Sequence, residues 1–317
     1  MLPGLWRLRL PLPWPGVPHC NAWAIAAGPG VILVDTGMHE PGSLAQLERA
    51  MDQVNLRIEH VRLVVCTHAH SDHWGQAAPI CDRAGCELWL HPNHEHATRG
   101  ADDPAATLAR RLEIARQSGV PPAALDRYAE RFGRQISSGV ARVIEPDRAL
   151  VDGVEIETDL GAWRTYETPG HAPSHVCLYQ PDRRLLISGD HVLGRISLYY
   201  DYGWTPDPVG EFLHSLELVD ALDARLGLSG HGRPFVDVHG HAAGSRGLVH
   251  DRLDRLRSAL AGAARTPVEV APSVLGEELT EQNAPRLLQE TLCYFQHLER
   301  SGEVVRDGDD PPRWRVS

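Results

Sequence analysis

Apolar and polar positions alternate at the start of the chain. In "LWRLRLPLP" the leucines at 8, 10 and 12 recur at every second position, the period of a strand with one buried face. "NAWAIAAGPGVILVDTG" reads as two strands around a Gly-Pro-Gly turn, the second ending at Asp35-Thr36-Gly37. A helix is predicted over "EPGSLAQLERAMDQV". Next comes "VRLVVCTH", a short continuous apolar run of the kind buried on both faces inside a sheet. A further strand is predicted at "GCELWLHP".

From about Asn93 to Val140 the texture changes. "AATLARRLEIARQSG" and "PAALDRYAERFGRQI" carry helical spacing, so residues 93–140 read as a helical insertion in a strand-rich frame, placed like a lid. Strand patterns resume through "VEIETDLGAWRTYETPGH", "SHVCLYQPDRRLLISGDH" and "LGLSGHGRPF". After about Gly244 the chain turns helical. "LTEQNAPRLLQETLCYFQHLERSG" predicts a helix with Thr280 as its cap and Gly302 as its stop, followed by "EVVRD", a "GDDPP" turn and "RWRVS". A helix followed by a hairpin resembles the last helix and wing of a winged-helix unit. The organisation expected is a catalytic domain over 1–243 and a winged-helix-like unit over 244–317.

The candidate chemistry sits in "THAHSDHWG", directly after the apolar run 61–65. His68 and His70 alternate on one side of the chain and can reach one metal, while Asp72 and His73 turn toward a second position. Three later stretches add ligands at predicted strand ends: His171 in "TPGHAPSH", Asp190 in "LLISGDH" and His231 in "LGLSGHGRPF". Their flanking glycines let backbone approach an ion closely. Imidazoles with carboxylates suit zinc first, and also iron or manganese. Seven such residues make a site for two divalent ions.

"VDTG", "THAHSDH", "TPGH", "SGDH" and "GHG", in this order from about Leu5 to Pro234, resemble the metallo-β-lactamase superfamily. The resemblance implies an α/β fold, a four-layer αββα sandwich with both metals at one edge between two sheets. It implies that His68, His70 and His171 hold one metal, that Asp72, His73 and His231 hold the other, and that Asp190 bridges them. Asp35 of "VDTG" is similar to the aspartate that orients a ligating histidine, beside the plainer reading of a turn former. His175 and His191 read as structural neighbours of the ligands, and His91, His94 and His96 as solvated loop residues. A bridging aspartate favours glyoxalase II-like thioesterases, lactonases and RNA-cutting enzymes over true β-lactamases.

Composition narrows the class. The net charge of −11 argues against a protein that wraps a phosphate backbone. All 31 basic residues are arginine, so Schiff-base, PLP and P-loop lysine chemistry is excluded. No GxSxG elbow is present. Six cysteines without a CxxC pair indicate neither a zinc ribbon nor a disulfide framework, and no apolar run of about 18 residues signals a membrane span. A cytoplasmic location is expected. Two metals about 3.5–4 Å apart share a hydroxide that is nucleophilic at neutral pH, with Asp72 and Asp190 holding it in place. The expected substrate is a small acyl compound, a thioester or a lactone, with phosphodiester cleavage and a non-catalytic metal sensor as alternatives. Tyr199, Tyr200, Tyr202 and Trp204 either line an acyl pocket or pack as core. From Arg246 to Ser317 there are 10 arginines against 12 acidic residues, so the tail is expected to serve packing or homodimer formation rather than nucleic-acid binding.

Overall fold

A computed structural model gives the fold for residues 2–14, 16–132, 137–308 and 310–317. Residues 133–136, at the end of the second predicted lid helix, and Asp309 of the "GDDPP" turn lie outside these described residues.

The first sheet holds β1 (Leu5–Trp14), β2 (Val17–Ala27), β3 (Gly30–Val34), β4 (Val61–Val65), β5 (Glu87–Leu90) and β6 (Arg148–Ala149), in chain order. β1, β2 and β3 pair antiparallel, whereas β3 through β6 run parallel. The second sheet holds β7 (Glu155–Ile156), β8 (Trp163–Glu167), β9 (Val176–Gln180), β10 (Leu185–Gly189), β11 (Leu226–Ser229) and β12 (Phe235–Val236), again in chain order. Here β7 to β10 are antiparallel and β10 pairs parallel with β11.

The pleat decides which layer each side chain enters. Trp23, Ile25, Ile32, Val34, Leu63 and Val65 of the first sheet meet Trp163, Val176, Leu178, Leu185, Ile187 and Leu228 of the second in one buried cluster between the sheets. The alternate residues of the first sheet, among them Ala24, Leu33 and Val64, face Leu47 of α1 (Ser43–Asp52) and Ile80 of α3 (Ala77–Ala84). A four-residue helix, α2 (Ser71–Trp74), precedes α3. The result is the expected αββα order.

The insertion between the parallel neighbours β5 and β6 contains α4 (Glu95–Ala101), α5 (Pro104–Gln117) and α6 (Pro122–Phe132). Four helices cover the outer face of the second sheet: α7 (Pro208–Asp220), α8 (Val238–Leu260), α9 (Pro267–Leu275) and α10 (Ala284–Arg300). Ile114 of α5, Leu186 of β10 and residues of all four helices share one buried cluster. α8 runs through residues 243 and 244 without a break.

α10 begins at Ala284, later than its expected cap. Thr280 and Asn283 instead bond each other's backbone N–H, and Pro285 lies in the helix's first turn, where no N–H is needed. Gly302, at φ 75°, ends it as expected. A two-stranded hairpin follows, β13 (Val304–Asp307) and β14 (Arg313–Val316), with Trp314 on the ring of Phe295. Among the described residues, no helix is long and apolar enough to cross a membrane.

Within the C-terminal helices one charge is fully buried. Glu290 of α10 is 0% exposed and is contacted by the guanidinium of Arg252 in α8. Arg252→Ala leaves that carboxylate only the Tyr294 hydroxyl at 3.3 Å and Arg286 at 3.7 Å, with an expected cost of about 3 kcal/mol in denaturant unfolding, while replacing both Arg252 and Glu290 by methionine restores most of it. An Arg252→Ala loss below about 1 kcal/mol contradicts the pairing.

Candidate metal centre

Three strands of the second sheet deliver their ends to one edge. β8 and β10 are both antiparallel to β9, and β11 is parallel to β10, so all three run the same way. His171 follows β8, Asp190 follows β10 directly, and His231 follows β11. From the first sheet, β4 leads into residues 66–70, and α2 then places Asp72 and His73. The Asn21 N–H donates to Gly230 O at 2.7 Å, joining the two sheets beside His231.

The donor atoms gather in overlapping trios. His68, His70 and His171 offer atoms within 4.8 Å of one another, and so do Asp72, His73 and His231. Asp190 reaches both: its carboxylate lies 3.0 Å from His231 Nε2, 3.6 Å from His73 Nε2 and 3.9 Å from His171 Nε2. A Cβ on Gly230 would stand 2.2 Å from Asp190 Oδ1, so only glycine fits there.

Each of the five histidines is held by its other nitrogen. His73 Nδ1 is 2.9 Å from Asp35 Oδ2, His171 Nδ1 is 3.2 Å from Tyr199 O, and His231 Nδ1 is 3.0 Å from His19 O. His70 uses Nε2, 2.9 Å from Asp201 Oδ2. His68 Nδ1 is 3.0 Å from Thr67 Oγ1, whose single proton goes to Asp35. These anchors all accept, so each anchored nitrogen carries the proton and the opposite nitrogen presents a lone pair to the centre. Asp35 holds a left-handed φ of 63° and takes the Thr67 N–H as well as His73.

The donor set fits metal ions. His68 Nε2, His73 Nε2 and Asp190 Oδ1 are buried without a hydrogen-bond partner, which is costly unless a cation faces them. Burial, then the neighbouring imidazoles, holds His171 down to about 3. Burial opposes protonation of His231 too, but Asp190 and Asp72 outweigh it and push it up to about 10. A cation takes the place of such a proton when it binds.

Sequence reasoning missed Asp201 and misread His96. His96, read as a solvated loop residue, has a ring only 1% exposed, with Nδ1 2.8 Å from Asp201 and Nε2 2.7 Å from Ser174 Oγ. His91 is likewise buried, 2.6 Å from Glu167. The cause is α4, which turns His96 inward from the insertion. His70, His96 and Asp201 form another trio within 4.8 Å, through the His70 nitrogen that Asp201 already occupies.

The remaining candidates divide. Tyr199 lies 5.6 Å from the rings of both His70 and His171, and its hydroxyl donates to Asp201. Trp204 stands 6.4 Å from His96, with the Arg110 guanidinium 4.7 Å over its ring. Tyr200 is a correction: at 0% exposure it packs between Phe212 and Tyr294 as core, because the chain alternates direction after Tyr199. His175 accepts the Asp190 N–H and His191 packs on Phe212, both structural.

The sequence pattern of the metallo-beta-lactamase superfamily matches residues 15–231. The chain belongs to that superfamily. A beta-lactamase domain protein from Burkholderia ambifaria superposes with a TM-score of 0.86 at 28% identity, over 100% of this chain and 93% of that one. A metallo-beta-lactamase family protein from Thermus thermophilus gives 0.84 at 26%, over 100% and 99%. Both likenesses include the C-terminal helices and hairpin. A probable metallo-hydrolase of Bacillus subtilis is 26% identical over 68% of this chain and 82% of its own length. A thioesterase of Emericella nidulans is 26% identical over 69% of this chain and 47% of its own, and a lactamase-like protein of Neosartorya fischeri is 26% identical over 71% and 52%. The chain thus spans about half the length of these two fungal relatives. Family and fold agree with the donor set, whose clustered imidazoles and carboxylates could hold metal ions.

Asp35→Asn keeps a residue that tolerates the left-handed backbone, but its one remaining acceptor oxygen cannot serve both the Thr67 N–H and His73, and the carboxylate charge behind His73 is lost. Metal affinity, measured by competition with a chelator, is expected to fall about 10–100-fold. Unchanged affinity contradicts the orienting role.

Proposed function

We propose that the protein is a dinuclear metal hydrolase that cleaves acyl thioesters, with lactones as a second substrate class. The observation that carries the two-metal part is the Asp190 carboxylate standing between the trios, within 3.0–3.9 Å of histidines in each. When bound, a pair of divalent ions, zinc by the chemistry of the donors, supplies Lewis acidity and lowers the pKa of water toward about 7.

The chain's own residues do the rest. Asp190 Oδ2 stands between His171 and His231, Oδ1 is buried without a hydrogen-bond partner, and the carboxylate can hold the proton of an attacking water. Asp72 also contacts His231, at 3.2 Å. Asp201 and Asp35 fix His70 and His73 from behind, so the centre need not reorganise as charge develops.

A cavity of about 520 Å³ lies between α5 and the loop of Tyr202 and Gly203, lined by Ile114, by Glu113 and Gln117, and by Arg110, the arginine that covers Trp204, and it has room for an acyl chain. The thioesterase relative points the same way. The C-terminal segment, with 10 arginines against 12 acidic residues, offers little to an RNA backbone.

Turnover of metal-loaded protein on acyl thioesters, a lactone and a single-stranded RNA tests this reading. Thioester cleavage is expected to dominate and to drop in Asp190→Ala by more than the about 10–100-fold that loss of an orienting partner costs. Cleavage of RNA alone, or near wild-type activity in the variant, overturns it.

A further inference from the structure

Most arginines whose contacts are described face a carboxylate, but one group beside the metal centre does not. Arg7 and Arg9 project from the same face of β1, next to His19 of β2. Arg233 follows His231 by two positions, and the loop of Gly194 and Arg195, just after Asp190, packs against the Arg233 carbonyl. Among the described residues, none of these four arginines has a carboxylate partner. The guanidinium of Arg7 is fixed: Nε donates to Asn21 Oδ1 at 2.8 Å, and Nη2 reaches Gly232 O at 2.5 Å and His19 Nε2 at 2.9 Å. Arg9, Arg195 and Arg233 are exposed.

Burial, then Arg9 and Arg233, lowers the Arg7 pKa, so the like charges feel one another. Burial, Arg9 and Arg7 lower that of His19 as well. The rim is unrelieved positive charge on a chain of net charge −11. Its Arg233 lies two residues from His231, whose Nδ1 rests on His19 O. Guanidinium forks pair with carboxylates and phosphates alike, so charge decides: a carboxylate-tipped thiol brings one or two charges, whereas a carrier with a diphosphate and a further phosphate ester brings more to a rim of four arginines.

We propose that this rim binds the phosphate group of a thiol carrier, so that the substrate is a phosphate-bearing acyl thioester lying across the metal centre. The carrier rests over the start of β1 and the acyl group points toward the cavity at α5. This inference rests on the acyl-thioester reading above.

Coenzyme A, titrated calorimetrically into the metal-loaded full chain, is the probe. Glutathione, neutral N-acetylcysteamine and a short single-stranded RNA serve as comparisons. Coenzyme A is expected to bind tightest, and its affinity to fall about tenfold or more in Arg9→Ala/Arg233→Ala and to weaken with added salt. Arg142→Ala/Arg255→Ala removes the same charge elsewhere on the surface and is expected to keep wild-type affinity. Metal content and thermal unfolding are read for each variant, so that misfolding is not taken for lost binding. Equal coenzyme A affinity in the rim variant and wild type overturns the site. Tighter binding of glutathione, or a loss confined to RNA, also overturns it. Thioester turnover is scored separately. Rim-dependent coenzyme A binding without thioester cleavage sinks the acyl-thioester reading and leaves the phosphate site, while cleavage with rim-independent binding does the reverse.

Discussion

Five imidazoles are each pinned by one nitrogen, so their other nitrogens converge with two carboxylates on a buried point. His68 Nε2, His73 Nε2 and Asp190 Oδ1 are buried without a hydrogen-bond partner, the last two 3.6 Å apart, and a proton or metal ion facing them offsets the cost of their burial. The rest of the molecule can be read as the apparatus that keeps those nitrogens aimed.

The αββα layering supplies the aim. β10 is buried on both faces, as is β11 but for its first residue, and the last three residues of β4 are buried; these strands and β8 lead into the short loops that carry the ligands. The anchors come from still farther away in sequence: Asp35 after β3, His19 in β2 and Asp201 beyond β10. Asp201 also ties in the insertion through His96, while Gln289 of α10 donates to the Tyr199 hydroxyl. The helical insertion and the C-terminal helices are therefore connected to His70 through one carboxylate and its neighbours.

What was legible in the sequence was local. The cluster His68 to His73, the strand-end positions of His171, Asp190 and His231, and the period-2 pattern of β1 each declare themselves within a few residues. Asp201 and His96 did not, because their meeting depends on a helix 105 positions earlier in the chain turning inward, and no local spacing records that. For Tyr199 and Tyr200 the sequence left pocket lining and core packing both open, and the alternation of an extended chain divides them, sending Tyr200 into the core while Tyr199 faces the ligands. The start of α10 moved because the Thr280–Asn283 turn competes for the capping role. The arginine rim was invisible for the opposite reason: Arg7, Arg9, Arg195 and Arg233 are ordinary surface residues until the two sheets bring them together.

Two ions are expected in two defined trios joined by Asp190, and anomalous diffraction at the metal's absorption edge, from crystals of metal-loaded protein, locates them. Two peaks are expected, one within His68, His70 and His171 and one within Asp72, His73 and His231, with Asp190 contacting both. A single peak, or one centred on His70, His96 and Asp201, contradicts it.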